Sequence, residues 1–571
     1  MIPTSPKRKI FVTAFVLIFA SLVTACGGGN DGAAPAAPTL VPTPPPASGD
    51  VTISGTISFE SVGVDTDDFT LDLSDLTSLP ARGVIVRAVS ANGTTLASTS
   101  TNPNGQYALS VDVNTNVRIE AMAQLLQNTP GDAQWNISVL DNTNGNAQYV
   151  LSGSLANSGT ANSTRDLMAA SGSNGVSAYT STRAAGPFAI LDTMFSSLTL
   201  MESVDPDISF DPLQIFWSVN NRRINDDEEF SIPDGDLRSS AFTFVSGIPT
   251  IFILGDTATD TDEYDAHVIA HEFGHFFQET ISRDDSIGGA HSLSSRLDPR
   301  VSFSEGFGNA LSAIVLEDPL YIDAGFGATG GFAFNIELNT IGQIIFNSSG
   351  VPAAGWYGES SVQSILFDIF DNSSDGVDGI SAGFQPLYDA FLNPTFTDSD
   401  ASTTFFSYMT SLLEDPAITP GNLTPLLTFQ DINGTGIFGA GETNDGNVPT
   451  SLPVFPAYTI GEPPITVCSL NDAGTQNNIG VRSLVSLTVP SPGTFTLTMQ
   501  RISGATNRDP NFFIFNEGVF LGSGTSDATD IETRSIFLPA GQLIVDALDD
   551  NNLDNDDDDV PADACYSFSA Q

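Results

Sequence analysis

Apolar and polar positions alternate with a period of two through the first third of the chain. Val51-Thr-Ile-Ser-Gly-Thr-Ile-Ser-Phe59, Gly83–Val89, Tyr107–Val111 and Val117–Ala121 read as strands, and Asn92-Gly93 and Asn104-Gly105 read as the tight turns between them. Asn- and Ser-rich sequence from Gln127 to Gly175 extends this region without a resolvable strand pattern. The period then changes. Pro187–Glu202 carries apolar residues at helical spacing, and so does Asp265–Gln278, where Val268, Ile269, Phe273, Phe276 and Phe277 form the apolar side. Ser304–Ile314, with Phe307, Leu311 and Ile314 for the core, predicts a further helix. Ile215–Ser218 and Thr250–Leu254 read as strands, the second as an edge strand beside a cleft. From Gly461 onward the two-residue period returns in Ser483–Val489, Gly493–Met499, Phe512–Phe515, Arg534–Leu538 and Gln542–Ala547. The pattern predicts a mixed α+β unit between two β-sandwiches.

Length and charge sharpen that picture. A chain of 571 residues exceeds one hydrophobic core, so several domains are expected. The start, Lys7-Arg8-Lys9 followed by apolar Ile10–Ala25, has the form of an export signal and is too short for a comfortable membrane span. Leu22-Val-Thr-Ala-Cys26-Gly27 resembles the lipobox of bacterial lipoproteins. That resemblance implies cleavage before Cys26, lipidation of its thiol, and an outer-membrane destination, since Gly rather than Asp follows it. Residues 27–50, with Pro42-Thr-Pro-Pro-Pro46, read as a stiff tether. A formal net charge of −50 excludes nucleic acid and anionic lipid surfaces as partners. Beyond Cys26 only Cys468 and Cys565 remain, near the two ends of the last domain. In an oxidising compartment they are expected to pair.

Within the second predicted helix stands His271-Glu272-Phe273-Gly274-His275. Two histidines four residues apart lie one turn apart on one helix face, where both imidazoles can bind one zinc ion. Glu272 projects beside them, placed to take a proton from water. A third protein ligand is needed, and the carriers are His267, His291 and a downstream acid, with Glu305 the best placed. Glu305 and Asn309 share a helix face. His267 reads as packing beside the motif rather than as a ligand, and Arg283, Asp284 and Asp285 as a charge cluster that fixes a loop. The acidic turn Asp260-Thr-Asp-Glu-Tyr-Asp265 reads as capping for the helix that follows, a cation site being its other use.

A helix with this motif followed by a second helix carrying Glu resembles the thermolysin-like and fungalysin-like zinc peptidases, the gluzincins. Gly358–Asp371 resembles the fungalysin helix that follows the Glu-bearing one; the similarity as a whole spans about 110 residues, and only the zinc motif in it is specific. It implies a zinc-dependent peptidase with His271, His275 and Glu305 as ligands and Glu272 as general base. It also implies an orienting residue behind a zinc histidine; Asn309 stands where thermolysin has an aspartate, without the charge. The family's oxyanion donor is a histidine after the Glu ligand, and this chain has none after His291. His291, in Gly288-Gly-Ala-His-Ser292, and tyrosines such as Tyr357 are the candidates.

Three further stretches complete the reading. Thr101–Leu109 resembles the end of the carboxypeptidase regulatory-like sandwich. Asp431-Ile-Asn-Gly-Thr-Gly-Ile-Phe-Gly-Ala-Gly-Glu442 matches an EF-hand calcium loop, with Asp431, Asn433, Thr435, Ile437 (through its carbonyl) and Glu442 as ligands. The last domain resembles the pre-peptidase C-terminal sandwich, and Asp549–Asp559 reads as a solvated acidic loop, a cation site being its sharper use. The expected organisation is a lipoprotein signal (1–26), a tether (27–50), a β-sandwich (51–173), a zincin-like metallopeptidase core (180–425), a linker with the calcium loop (426–460) and a second β-sandwich (461–571). The expected activity is peptide-bond hydrolysis by an exported, lipid-anchored monomer using zinc, with calcium as a second ion. The alternative is a surface-binding lipoprotein with a vestigial peptidase core.

Overall fold

The computed structural model describes residues 49–225, 228–327, 330–337, 344–346, 354–372, 377, 379–471, 476–553 and 561–571. The export signal, Cys26, all but the end of the tether and most of the acidic loop 549–559 lie outside these residues.

The N-terminal strands bury alternate side chains. In β5 (Gln106–Asp112), Tyr107, Leu109 and Val111 face inward while their neighbours face solvent. β1 (Asp50–Asp65) pairs antiparallel with both β5 and β2 (Thr70–Pro80). A second, ten-stranded sheet begins with β3 (Val84–Ser90), β4 (Thr95–Ser100), β6 (Asn116–Gln127) and β7 (Trp135–Asp141). This sheet does not stop near residue 173. β7 pairs in parallel with Leu213–Trp217, which pairs in parallel with Ile248–Ile253, which in turn pairs antiparallel with Ala241–Val245. β7 buries Trp135, Ile137 and Val139, and the next strand buries Leu213, Ile215 and Trp217, so one hydrophobic cluster runs across the expected domain boundary. The edge strand also differs from expectation. It is Ala241–Val245, one strand outside Ile248–Ile253, and a two-residue turn, Ser246-Gly247 with φ of 54° and 81°, joins the two.

Two helices pack against this sheet, and two more stack on them in turn. α1 (Gly186–Val204) has Pro187 in its first turn, and α2 (Ala266–Ile281) carries the histidine motif. α3 (Pro299–Leu316) starts at Asp298, whose carboxylate accepts from the Arg300 amide, and α4 (Glu359–Phe370) follows. α2, α3 and α4 approach almost to backbone contact because three facing positions are glycine. A Cβ on Gly274 would lie 3.1 Å from the Gly308 Cα, and one on Gly306 would lie 2.5 Å from the Val362 Cβ. Below them Phe277, Phe303, Phe307, Phe391 and Tyr408 interlock, with the Phe307 and Phe391 centroids 4.2 Å apart. Each such buried ring contributes about 1.5–3 kcal/mol.

The C-terminal unit is two facing sheets of five and four strands around a separate core that includes Val485, Leu497, Phe512, Val545 and Phe568. Cys468 and Cys565 lie opposite each other on the paired strands Ile465–Ser469 and Ala564–Ala570 and form a disulfide. This unit is clasped to α3. Arg300 and Arg482 both donate to Asp546 Oδ2, at 3.1 and 2.8 Å, and Arg300 also binds Asp298. The molecule is thus a multidomain protein rich in β-sheet with a compact helical layer.

Candidate metal centre

The motif histidines reach the same point because α2 holds them one turn apart and α3 crosses directly over them. His271 Nε2 and His275 Nε2 are 3.0 Å apart. Glu305 Oε2 lies 3.2 Å from the first and 3.3 Å from the second. Donors about 2.0–2.1 Å from a tetrahedral zinc ion stand roughly 3.3 Å from one another, so the spacing fits that ion. The opposite ring nitrogens are fixed. His271 Nδ1 is 2.9 Å from Asn309 Oδ1, and the Asn309 amide in turn donates to Gln363 Oε1 at 2.9 Å. His275 Nδ1 is 3.1 Å from Ser304 Oγ, which donates to Asp284 Oδ2 at 2.8 Å. With Nδ1–H donating to Asn309, the Nε2 lone pair of His271 faces the carboxylate of Glu305. Facing lone pairs and a buried carboxylate repel unless a proton or a metal cation lies among them. His271, Glu305 and Asn309 are all buried, and Glu305 is 7 % exposed.

The glycine at 308 is part of this geometry. A Cβ there would stand 2.8 Å from His271 Nδ1, so any larger residue would push the imidazole out of place.

Glu272 points to the sheet edge, where the Phe242 amide donates to its Oε2 at 2.6 Å. Phe242 therefore turns its backbone outward from Ala241–Val245, as do alternate residues along an antiparallel edge. His291 also arrives at the centre. Its Nε2 is 3.2 Å from Glu305 Oε2 and its Nδ1 is 2.7 Å from Glu359 Oε2. Burial works to lower the His291 pKa, but Glu305 and Glu359 outweigh it and hold it up at about 10. Burial works against His275 too, and Glu305 raises it to about 9. Burial likewise works to raise Glu305, yet His291 and His275 draw it well below the usual carboxylate range.

The His291 loop is braced from far along the chain. Asn477, of the C-terminal unit, donates its amide to Gly288 O at 3.1 Å and Ala290 O at 2.9 Å. Its own carbonyl accepts from the Asp298 amide at 2.7 Å, at the start of α3.

Other residues singled out in the sequence lie elsewhere. His267 turns away from the centre to Asp318 O, 3.1 Å away, and packs on the Tyr321 ring; burial lowers its pKa. Tyr357 gives its hydroxyl to Ala354 O and Asn444 Oδ1. Arg283 holds Asp285 and the carbonyl of Ser399. Asp284 instead reaches Ser304, a contact that the reading of all three as a loop clamp missed. In the loop from Asp431 to Glu442, both carboxylate oxygens of Glu442 accept backbone amides, from Asn433, Gly434, Thr443 and Asn444 at 2.8–2.9 Å. Glu442 thus closes the loop on its own backbone. Nor does the acidic turn cap α2 by side chain. Asp265 occupies the N-cap position but makes no cap hydrogen bond. Asp260, Asp262 and Asp323 instead bring carboxylate oxygens within 4.8 Å of one another.

No family model matches this chain, and no curated protein matches it in sequence. Among solved structures, the pre-peptidase C-terminal domain of collagenase from Bacillus anthracis is similar at 10 % identity and a TM-score of 0.16, over 20 % of this chain and 93 % of that one. A β-glucosidase from Paenibacillus barengoltzii is similar at 11 % identity and a TM-score of 0.12, over 29 % of this chain and 18 % of that one.

Proposed function

We propose that this chain is an exported, lipid-anchored zinc peptidase of the gluzincin kind, acting on proteins or peptides as a monomer. The observation that carries the reading is the convergence of His271 Nε2, His275 Nε2 and Glu305 Oε2 within 3.3 Å of one another, with the other nitrogen of each imidazole tied down. A zinc ion held there supplies Lewis acidity to a carbonyl oxygen and to water. The chain's own groups do the rest. An extended peptide pairs with the outward backbone of Ala241–Val245, which lays its carbonyl beside α2. Glu272, held by the Phe242 amide, takes the proton of the attacking water and passes it to the leaving amine. His291, protonated and steadied by Glu359, donates to the oxygen on which negative charge develops. His291 precedes the Glu ligand in the chain, so the family's donor role is filled here from the other side of that residue.

The test is casein hydrolysis by the mature protein. Activity is expected to vanish on chelation, to return with zinc, and to fall at least a thousandfold in Glu272→Gln, with zinc content unchanged. Full activity in Glu272→Gln, or full zinc content in Glu305→Ala, refutes the assignment.

A further inference from the structure

We propose that Asp260, Asp262 and Asp323, with Asp265 beside them, form a calcium site at the N-terminal end of α2. The donors come from two segments, the turn before α2 and the strand Leu320–Asp323, and Asp260, Asp262 and Asp323 place oxygens within 4.8 Å of one another. Asp262 is 3 % exposed and Asp265 2 %. Asp262 Oδ1 and Asp265 Oδ2 are buried without a hydrogen-bond partner, as is the hydroxyl of Thr261 between them in sequence. A buried carboxylate oxygen without a donor costs several kcal/mol, and natural proteins answer that cost with a partner or a metal. The buried Arg183 is already paired with Glu263, and Ser240 satisfies only the other oxygen of Asp262. Arg223 acts on Asp260 and Asp323 through space, but one such charge does not balance four carboxylates.

The donor chemistry selects the ion. Every donor is a carboxylate oxygen, with no imidazole or thiolate, which suits a hard cation rather than zinc. Carboxylates gathered from a turn and a strand suit the irregular, high coordination of calcium better than the rigid octahedron of magnesium. Burial is the main cause that raises all four carboxyl groups above their ordinary values, Asp323 to about 7, and repulsion among them adds to it for Asp262, Asp265 and Asp323. An ion here ties the turn before α2 to a strand whose Tyr321 packs on His267, one turn before His271. The site therefore fixes the angle at which α2 enters the catalytic layer.

The mature chain, stripped of all metals and then titrated with CaCl2 alone, is expected to melt about 5 °C higher or more once calcium exceeds its Kd a hundredfold. Glu305→Gln, which disables the proposed zinc centre, must show the same shift, so the two assignments fail separately. Asp262→Asn/Asp323→Asn must lose the shift, and without calcium it must melt no lower than the calcium-free wild type, because two carboxyl groups that bear the cost of burial and mutual repulsion are gone. Glu442→Gln must keep it. No shift in the wild type up to about 10 mM calcium overturns the proposal. So does a shift that survives in the double variant or disappears in Glu442→Gln. Should the double variant not fold, Asp260→Asn, at the half-buried rim, must lower the apparent calcium affinity at least tenfold, and an unchanged affinity overturns the site.

Discussion

Replacing Asp546 by Asn tests the clasp between the C-terminal sandwich and α3. Asp546 Oδ2 takes hydrogen bonds from Arg300 at 3.1 Å and Arg482 at 2.8 Å, and only Asp298 shares the load on Arg300. Two guanidinium groups are thus balanced by two carboxylates, and the substitution leaves one positive charge over in a buried site. Arg300 and Asp546 side chains are 4 % and 3 % exposed. Removing one member of a buried pair costs about 3–5 kcal/mol. For a cooperative unit of this size that lowers Tm on the order of 10 °C. Burial works to raise the Asp546 pKa, but Arg482 and Arg300 outweigh it and hold it below the usual carboxylate value. A depressed folded-state pKa gives stability that is fully present above the unfolded value near 3.9. It is lost as pH falls through the lower folded value. The gap between wild type and Asp546→Asn should therefore be constant from pH 5 to 8 and close below about pH 4. Differential scanning calorimetry across that range measures it. A loss under about 1 kcal/mol at pH 7, or a gap that widens in acid, refutes the claim that this network joins the units.

Three other outcomes follow from the packing. Gly308→Ala places a methyl 2.8 Å from His271 Nδ1; zinc affinity, read by chelator competition, should fall roughly 10–100-fold while the helix itself gains about 1 kcal/mol of propensity. Asn477→Ala frees the Gly288 and Ala290 carbonyls. It should lower kcat on a peptide roughly tenfold or more, with full zinc content and little change in KM, and an unchanged kcat would show that the His291 loop holds itself. Replacing Cys468 and Cys565 together by Ala opens a link spanning 97 residues and should cost about 2–5 kcal/mol, seen as an earlier calorimetric transition that the helical layer does not share.

The helices of the layer that carries the histidine motif were legible because their apolar spacing is local. Asp265–Gln278 and Ser304–Ile314 lie within α2 and α3, and each shows its core face in any four-residue window. What was hidden depended on partners remote in sequence. Ala241-Phe-Thr-Phe-Val245 alternates and ends in Ser-Gly, so a strand and hairpin could have been read there. That it lies outside Ile248–Ile253 could not, since strand order is set by tertiary pairing. Likewise β7 and Leu213–Trp217 look like ordinary short strands, and nothing local says that they join two regions into one sheet. Glu359 sits in a stretch read as a plain helix, and its bond to His291 appears only when α4 folds beside the loop. The acidic turn was misread for a different reason. Carboxylates before a helix usually cap it, and only the approach of Asp323 shows these gathered instead.

Asn477 reaches back 189 residues to the carbonyl of Gly288. Order of synthesis and order of assembly therefore differ. A chain emerging amino end first completes its histidine helix and the acid that faces it long before the residue that fixes the His291 loop exists. In the reading proposed here, the exporting cell handles a catalyst that is unfinished until nearly the whole polypeptide has been made. On that same reading, the half-made chain stays inactive for as long as this loop lacks its brace.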